Sequence, residues 1–220
     1  MFQAGLRLRA AVALVACLAA FAPTAQSEEP GASSLSSGSL PPRLILVPLC
    51  RQATDYTCGV AATQSVLCYY LDCDWRQDKL SRLLKATPAD GTNYTAIVRF
   101  VQSHGYTAEV HTNMTLQDLQ GLLDEGTPVV CLVQAWAGHR VDYATDWDDG
   151  HYVVAVGYDA DRVFFMDPST LGNYTFIPVA DFLARWHDAA SVRAPRLVHF
   201  GMVITKPCPH YDRDTVRPME

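Results

Sequence analysis

The chain has 220 residues, 49% hydrophobic and 18% charged, the balance of a globular protein with one ordinary core rather than of a disordered chain. Its formal net charge of −6 is offset by no basic block, which excludes nucleic acid and anionic membrane as the main partner.

At the start, Arg7 and Arg9 precede an apolar run from Ala10 to Ala22, and Ala25 and Ser27 are placed for a cut before Glu28. This layout predicts a secretory signal peptide over residues 1–27 and an exported, periplasmic or secreted product; the run is short for a membrane span. Leu14-Val15-Ala16-Cys17 offers a competing cut, a lipoprotein signal that would leave Cys17 as a lipid anchor. Residues 28–43 read as a flexible Ser/Gly/Pro linker, residues 44–206 as one domain and residues 207–220 as a tail.

Within the domain, LILVPL (44–49) reads as a strand ended by Pro48. A helix follows from Cys58 to about Leu71, and two more are expected over Asp78–Ala86 and Asn93–His104. Tyr106–His111 reads as a strand. Thr115, with Asp118 three residues on, caps a helix over Leu116–Asp124. Strands are then expected over 129–137, over the hairpin 151–159 and 163–167, and over Thr175–Ile177. A helix at Val179–Trp186 and a closing strand at 197–204 complete the pattern. Helices first and a mainly antiparallel sheet second is the α+β arrangement.

Export permits disulfides. Cys68 and Cys73 flank a helix end and are placed to bridge, Cys50 and Cys208 could staple the two ends of the core, and Cys131 reads as a buried free thiol. No cysteine pair has metal-site spacing, and no cofactor or metal is implied.

The stretch that carries chemistry is RQATDYTCGVAATQSVLCYY (51–70). A cysteine in the first turn of a helix meets unpaired N–H groups and the positive end of the dipole, both of which favour thiolate. Gly59 is expected to keep the space over the sulfur open. A thiolate nucleophile needs a base, a group that orients the base, and oxyanion donors. His151, opening a strand after the loop DYATDWDDG, is the candidate base; Asp167, ending the partner strand before Pro168, is the candidate orienter. With the turn centred on Ala160, Asp167 faces Val153 and His151 is its diagonal neighbour on the same face, which requires an odd-length turn or a bulge. Gln52, with the backbone N–H of Cys58, supplies the oxyanion donors. The acidic loop Asp142–Asp149 is placed to rim a cleft and favour basic or extended peptides.

Gln-x5-Cys-Gly, then GHYVVAVGYD, a short turn and VFFMDPS resembles the C39-type cysteine peptidases, papain-like proteases best known from exporters that trim double-glycine leader peptides. The resemblance spans roughly residues 44–205. It implies a papain-like fold, with Cys58 as nucleophile, His151 as base, Asp167 as orienter and Gln52 at the oxyanion hole. It also implies hydrolysis of a peptide or protein substrate through an acyl-enzyme, here by a free-standing exported member. A papain-fold transpeptidase or amidase would use the same residues, and an idle peptide-binding module would keep the cleft without the chemistry. Nothing in the pattern sets an oligomeric state.

Overall fold

A computed structural model describes residues 41, 43–136, 141–189 and 196–207. The expected signal segment, all of the linker except Pro41 and Arg43, and the tail beyond Pro207 lie outside the described residues. So do His139, His210 and Cys208.

Helix α1 (Cys58–Tyr69) is apolar nearly all round. Small residues follow one another (Val60, Ala61, Ala62), so no polar stripe forms and the helix is buried on every side that matters. Two amphipathic helices follow, α2 (Gln77–Leu84) and α3 (Tyr94–Ser103), the latter capped by the Asn93 side chain on Thr95 N–H. After the short strand β1 (Thr107–His111), α4 (Leu116–Asp124) starts in a full capping box between Thr115 and Asp118. The remaining elements are β2 (Val129–Gln134), β3 (Gly150–Tyr158), β4 (Arg162–Met166), β5 (Thr175–Pro178), α5 (Val179–Arg185), β6 (His187–Ala189), β7 (Arg196–Val198) and β8 (Gly201–Thr205). Six strands form one antiparallel sheet in the order β1-β8-β2-β3-β4-β5, and β6 and β7 pair separately. The architecture is α+β, with α1 packed on the inner strand β3. No described helix is long and apolar enough to cross a membrane.

Three expectations fail. LILVPL is not a strand: Ile45 N–H reaches Val156 O at 2.8 Å, but Leu46 is 72% exposed and Pro48 has no N–H to continue a ladder. The closing strand is split at His199, whose φ of +47° breaks the extended run. Its ring stacks on Trp186 at 4.9 Å between centroids, and its N–H bonds to Trp186 O at 2.8 Å, so β7 turns to β6 while β8 joins the main sheet. Third, Cys50 is free, with its expected partner Cys208 outside the described residues, whereas Cys68 and Cys73 are disulfide-bonded.

The hairpin β3–β4 carries the feature that matters most for the site. Near its tip, Tyr158 pairs with Val163 and Gly157 with Phe164; nearer the site, Ala155 pairs with Phe165 and Val154 with Met166. The register shifts by one at Val156, a β-bulge that leaves one residue unpaired. The carbonyl of Val156 is taken up by Ile45 N–H. Gly157 lacks the side chain that would press on Arg43 O at 3.0 Å, so the lead-in segment can cross there.

Candidate active site

Cys58 is the first residue of α1, and the residue before it, Thr57, makes no side-chain cap. The hydroxyl of Thr57 is committed elsewhere: it donates to Thr54 O at 3.1 Å and accepts from Thr54 N–H at 3.0 Å. The first-turn N–H groups are thereby left for the sulfur and for anything bound over it. Gly59 does not leave open space, contrary to expectation. A β-carbon there would meet Thr92 Cβ at 2.8 Å and the Tyr152 ring at 3.0 Å, so the glycine is needed for the helix start to dock against β3 and the loop before α3.

The bulge brings His151 and Asp167 together. Their side chains are 6% exposed each, and His151 Nε2 lies 2.8 Å from Asp167 Oδ1. Asp167 also accepts from Ser169 N–H at 2.9 Å, Ser169 Oγ at 2.8 Å and Thr170 Oγ1 at 2.9 Å. Burial opposes its charge, but the imidazole and these donors outweigh it and hold the carboxyl at about 2. With Nε2 committed to Asp167, Nδ1 is the ring nitrogen left for Cys58.

Burial disfavours a charged imidazole, yet the hydrogen bonds and charges of Asp167 and Cys58 prevail and raise His151 to about 9. Burial likewise pushes the Cys58 thiol up. The hydrogen bond and charge of His151, with the backbone of Tyr152 and Gly59, bring it below the ordinary thiol value. The two shifts agree: each partner favours the charged form of the other, thiolate with imidazolium. The other two thiols differ: burial pushes both Cys50 and Cys131 up.

Gln52 sits at the rim. Its backbone N–H bonds to Pro168 O at 2.8 Å, and Arg51 reaches Ser169 O at 3.2 Å, so the segment before α1 is fastened to the loop after Asp167. Gln52 Nε2 donates to Thr54 O at 2.8 Å, which fixes the amide orientation, because the flipped amide would set oxygen against oxygen. That bond takes one of the two Nε2 hydrogens.

Among the described residues, Gln52, Cys58 and His151 line one cavity of about 490 Å³ together with Trp136 and Ser169. Trp136 was not legible in the sequence. It holds a φ of +67°, is 65% exposed, and presents its ring edge-on to His151 at 6.0 Å. Its one sequence signal, an aromatic just past an apolar strand, is too common to single out.

A family model, the Peptidase_C39 like family, matches residues 44–193. The chain belongs to that family. No curated protein matches it. Among solved structures it is similar to a double glycine motif protease from an AMS/PCAT transporter in complex with the leader peptide: 19% identity, 73% of this chain and 92% of the other, TM-score 0.50. It is similar to the peptidase domain of Streptococcus ComA, a bifunctional ABC transporter, at 19% identity over 72% and 98%, TM-score 0.53. A Bacillus anthracis protein described as a C39-like peptidase gives 16% identity over 76% and 98%, TM-score 0.55. At these identities the likeness is one of fold, and the fold is the C39 papain-like peptidase domain.

Proposed function

We propose that this chain is an exported cysteine peptidase that hydrolyses peptide bonds through an acyl-enzyme, with Cys58, His151 and Asp167 as triad and Gln52 at the oxyanion hole. The observation that carries the reading is a cysteine at a helix start beside an imidazole whose far nitrogen is held 2.8 Å from a buried carboxylate. The Cys58 thiolate attacks the peptide carbonyl, and the new oxyanion takes the N–H of Cys58 and the spare hydrogen of Gln52 Nε2. The His151 imidazolium gives its proton to the departing amine, leaving a thioester on Cys58. Neutral His151 then takes a proton from water, which attacks the thioester; collapse releases the acid and restores the thiolate. Asp167 holds the ring in place and stabilises its charged form. The leader peptide bound to the transporter protease of similar fold supports a peptide as the substrate class. The disulfide between Cys68 and Cys73 supports export, since such bonds persist in oxidising compartments.

The test is cleavage of a quenched peptide library by the purified protein and by Cys58→Ala, with and without added amine. Hydrolysis that depends on Cys58 is expected, and the products should be free acids even with the amine present. Equal cleavage by Cys58→Ala would refute the reading, and products carrying the amine would replace hydrolase by transferase.

A further inference from the structure

Cys58 lies between two cavities. The first holds His151 and Trp136. The second, about 520 Å³, shares Cys58, Asp55, Asp148 and Gly150 with it and extends the other way to Thr92, Tyr152 and Asp188. If His151 protonates the departing amine, the amine half of the substrate occupies the first cavity and the acyl half the second. That assignment of sides rests on the peptidase reading; the chemistry of the second cavity does not.

The charged side chains that line the second cavity are mainly acidic. Asp55, Asp90, Asp148 and Asp188 line it against one guanidinium, Arg196, which lies over the Trp147 ring at 4.3 Å. Asp188 is the innermost of these carboxylates and is rigidly placed. Its Oδ1 accepts from Ala189 N–H at 2.7 Å and from the fully buried Gln134 Nε2 at 3.2 Å. Among the described residues no donor reaches Oδ2. Gly150, immediately before the base, has no side chain, and a β-carbon there would collide with both carboxylate oxygens of Asp188. The glycine therefore lets the carboxylate lie against the backbone beside His151. A second and independent observation comes from Thr92, which also lines this cavity: it is 4% exposed, and its buried hydroxyl has no partner among the described residues. A buried hydroxyl without a partner calls for an explanation, and a ligand's polar group reaching it from the cavity supplies one.

We propose that this second cavity is a subsite for a lysine or arginine side chain of the peptide, and that Asp188 Oδ2 selects it. The loop rim is fixed rather than adaptable: His187 Nε2 meets Asp146 O at 2.7 Å, and the Trp147 ring packs at a tilt against His187, 4.3 Å between centroids. Burial raises the Asp188 carboxyl to about 6, so a bound cation would meet a carboxylate that gains by being paired.

The experiment measures binding, not turnover, on the Cys58→Ala protein. Short peptides carrying arginine or the neutral isostere citrulline at successive positions are titrated calorimetrically at pH about 8, where the carboxylate is ionised. At one position arginine should bind roughly 10- to 100-fold more tightly than citrulline, the span for a hydrogen bond to a charged group. Adding Asp188→Asn should erase that difference; asparagine keeps the Oδ1 bonds to Ala189 and Gln134 and presents an amide where Oδ2 was. Equal affinity for the two peptides at every position overturns the proposal without recourse to any Asp188 variant, as does a preference that survives Asp188→Asn. If the preference holds but the protein with Cys58 intact cleaves none of these peptides, the hydrolase reading falls and the cation subsite stands.

Discussion

Replacing His151 with alanine tests the electrostatics of the site most directly. In the wild type the imidazolium holds the Cys58 thiol below its ordinary value, and the thiolate–imidazolium pair persists from that lowered pKa up to about 9. Without the ring, the largest remaining influence on Cys58 is burial, which raises the thiol. An ordinary thiol near 8.5 is about 3% ionised at pH 7, and a buried one less. Measured against a fully ionised thiol, the loss of thiolate alone would be roughly thirtyfold or more. A more basic thiolate is intrinsically the better nucleophile, with a Brønsted slope of about 0.4–0.5, which returns part of the loss. Alkylation of Cys58 by iodoacetamide at pH 7, mapped by peptide mass spectrometry, should slow by about ten- to thirtyfold in His151→Ala. Cys50 and Cys131 serve as internal controls, because burial pushes both thiols up and keeps them slow near neutrality. Raising the pH should close the gap as the variant thiol ionises. Equal rates at pH 7, or a gap unchanged at high pH, would refute the ion pair.

Asp167→Asn should lower turnover of a cleaved peptide by about 10- to 1,000-fold, less than His151→Ala, because the ring keeps a hydrogen-bonding partner but loses the charge behind it. Activity of the wild type should fall as the imidazolium deprotonates near pH 9, and this alkaline limb should move to lower pH in the variant, since Asp167 is among the groups that raise His151. Asp167 itself, held at about 2, stays ionised throughout the assayed range and contributes stability that is lost only as pH falls from about 4 towards that value. An unmoved alkaline limb would remove Asp167 from its role. Gly59→Ala should destabilise by about 1–3 kcal/mol in urea unfolding, because the new methyl meets Thr92 Cβ at 2.8 Å and the Tyr152 ring at 3.0 Å. Alanine's better helix propensity, about 1 kcal/mol, opposes this, so a variant more stable than wild type would show that the contact yields easily.

How much of this was legible depended on the range of the interactions involved. Helix α4 was readable to the residue, because Thr115 and Asp118 cap it by a local device written into four positions. The pairing of His151 with Asp167 was readable as a condition, an odd turn or a bulge, because strand parity is arithmetic. The two-residue face of the bulge, the crossing of the lead-in segment over Gly157, was not, since nothing at 43–45 announces its partner. Nor was the small sheet β6–β7. Its strands are three residues each, too short for an alternating pattern, and the break at His199 depends on a stack with Trp186 that only the folded chain provides. Asp188 was illegible for the same reason: in sequence it is one acid beside a histidine, and its importance comes from lying against Gly150.

The bulge at Val156 has a consequence for how this hairpin can vary. Continued in the register of its tip, the pairing would set Asp167 opposite Val154 and turn its carboxylate to the far face of the sheet from His151. The unpaired residue acts as a phase corrector, so the alignment of the two catalytic candidates is dictated from the Pro168 side and not transmitted outward-in from the loop after Tyr158. One residue deleted from that loop can be absorbed by straightening the bulge, and one residue gained by a longer loop beyond the bulge. The distal end of β3–β4 is in this sense insulated from the candidate site, free to drift in length while His151 and Asp167 keep step.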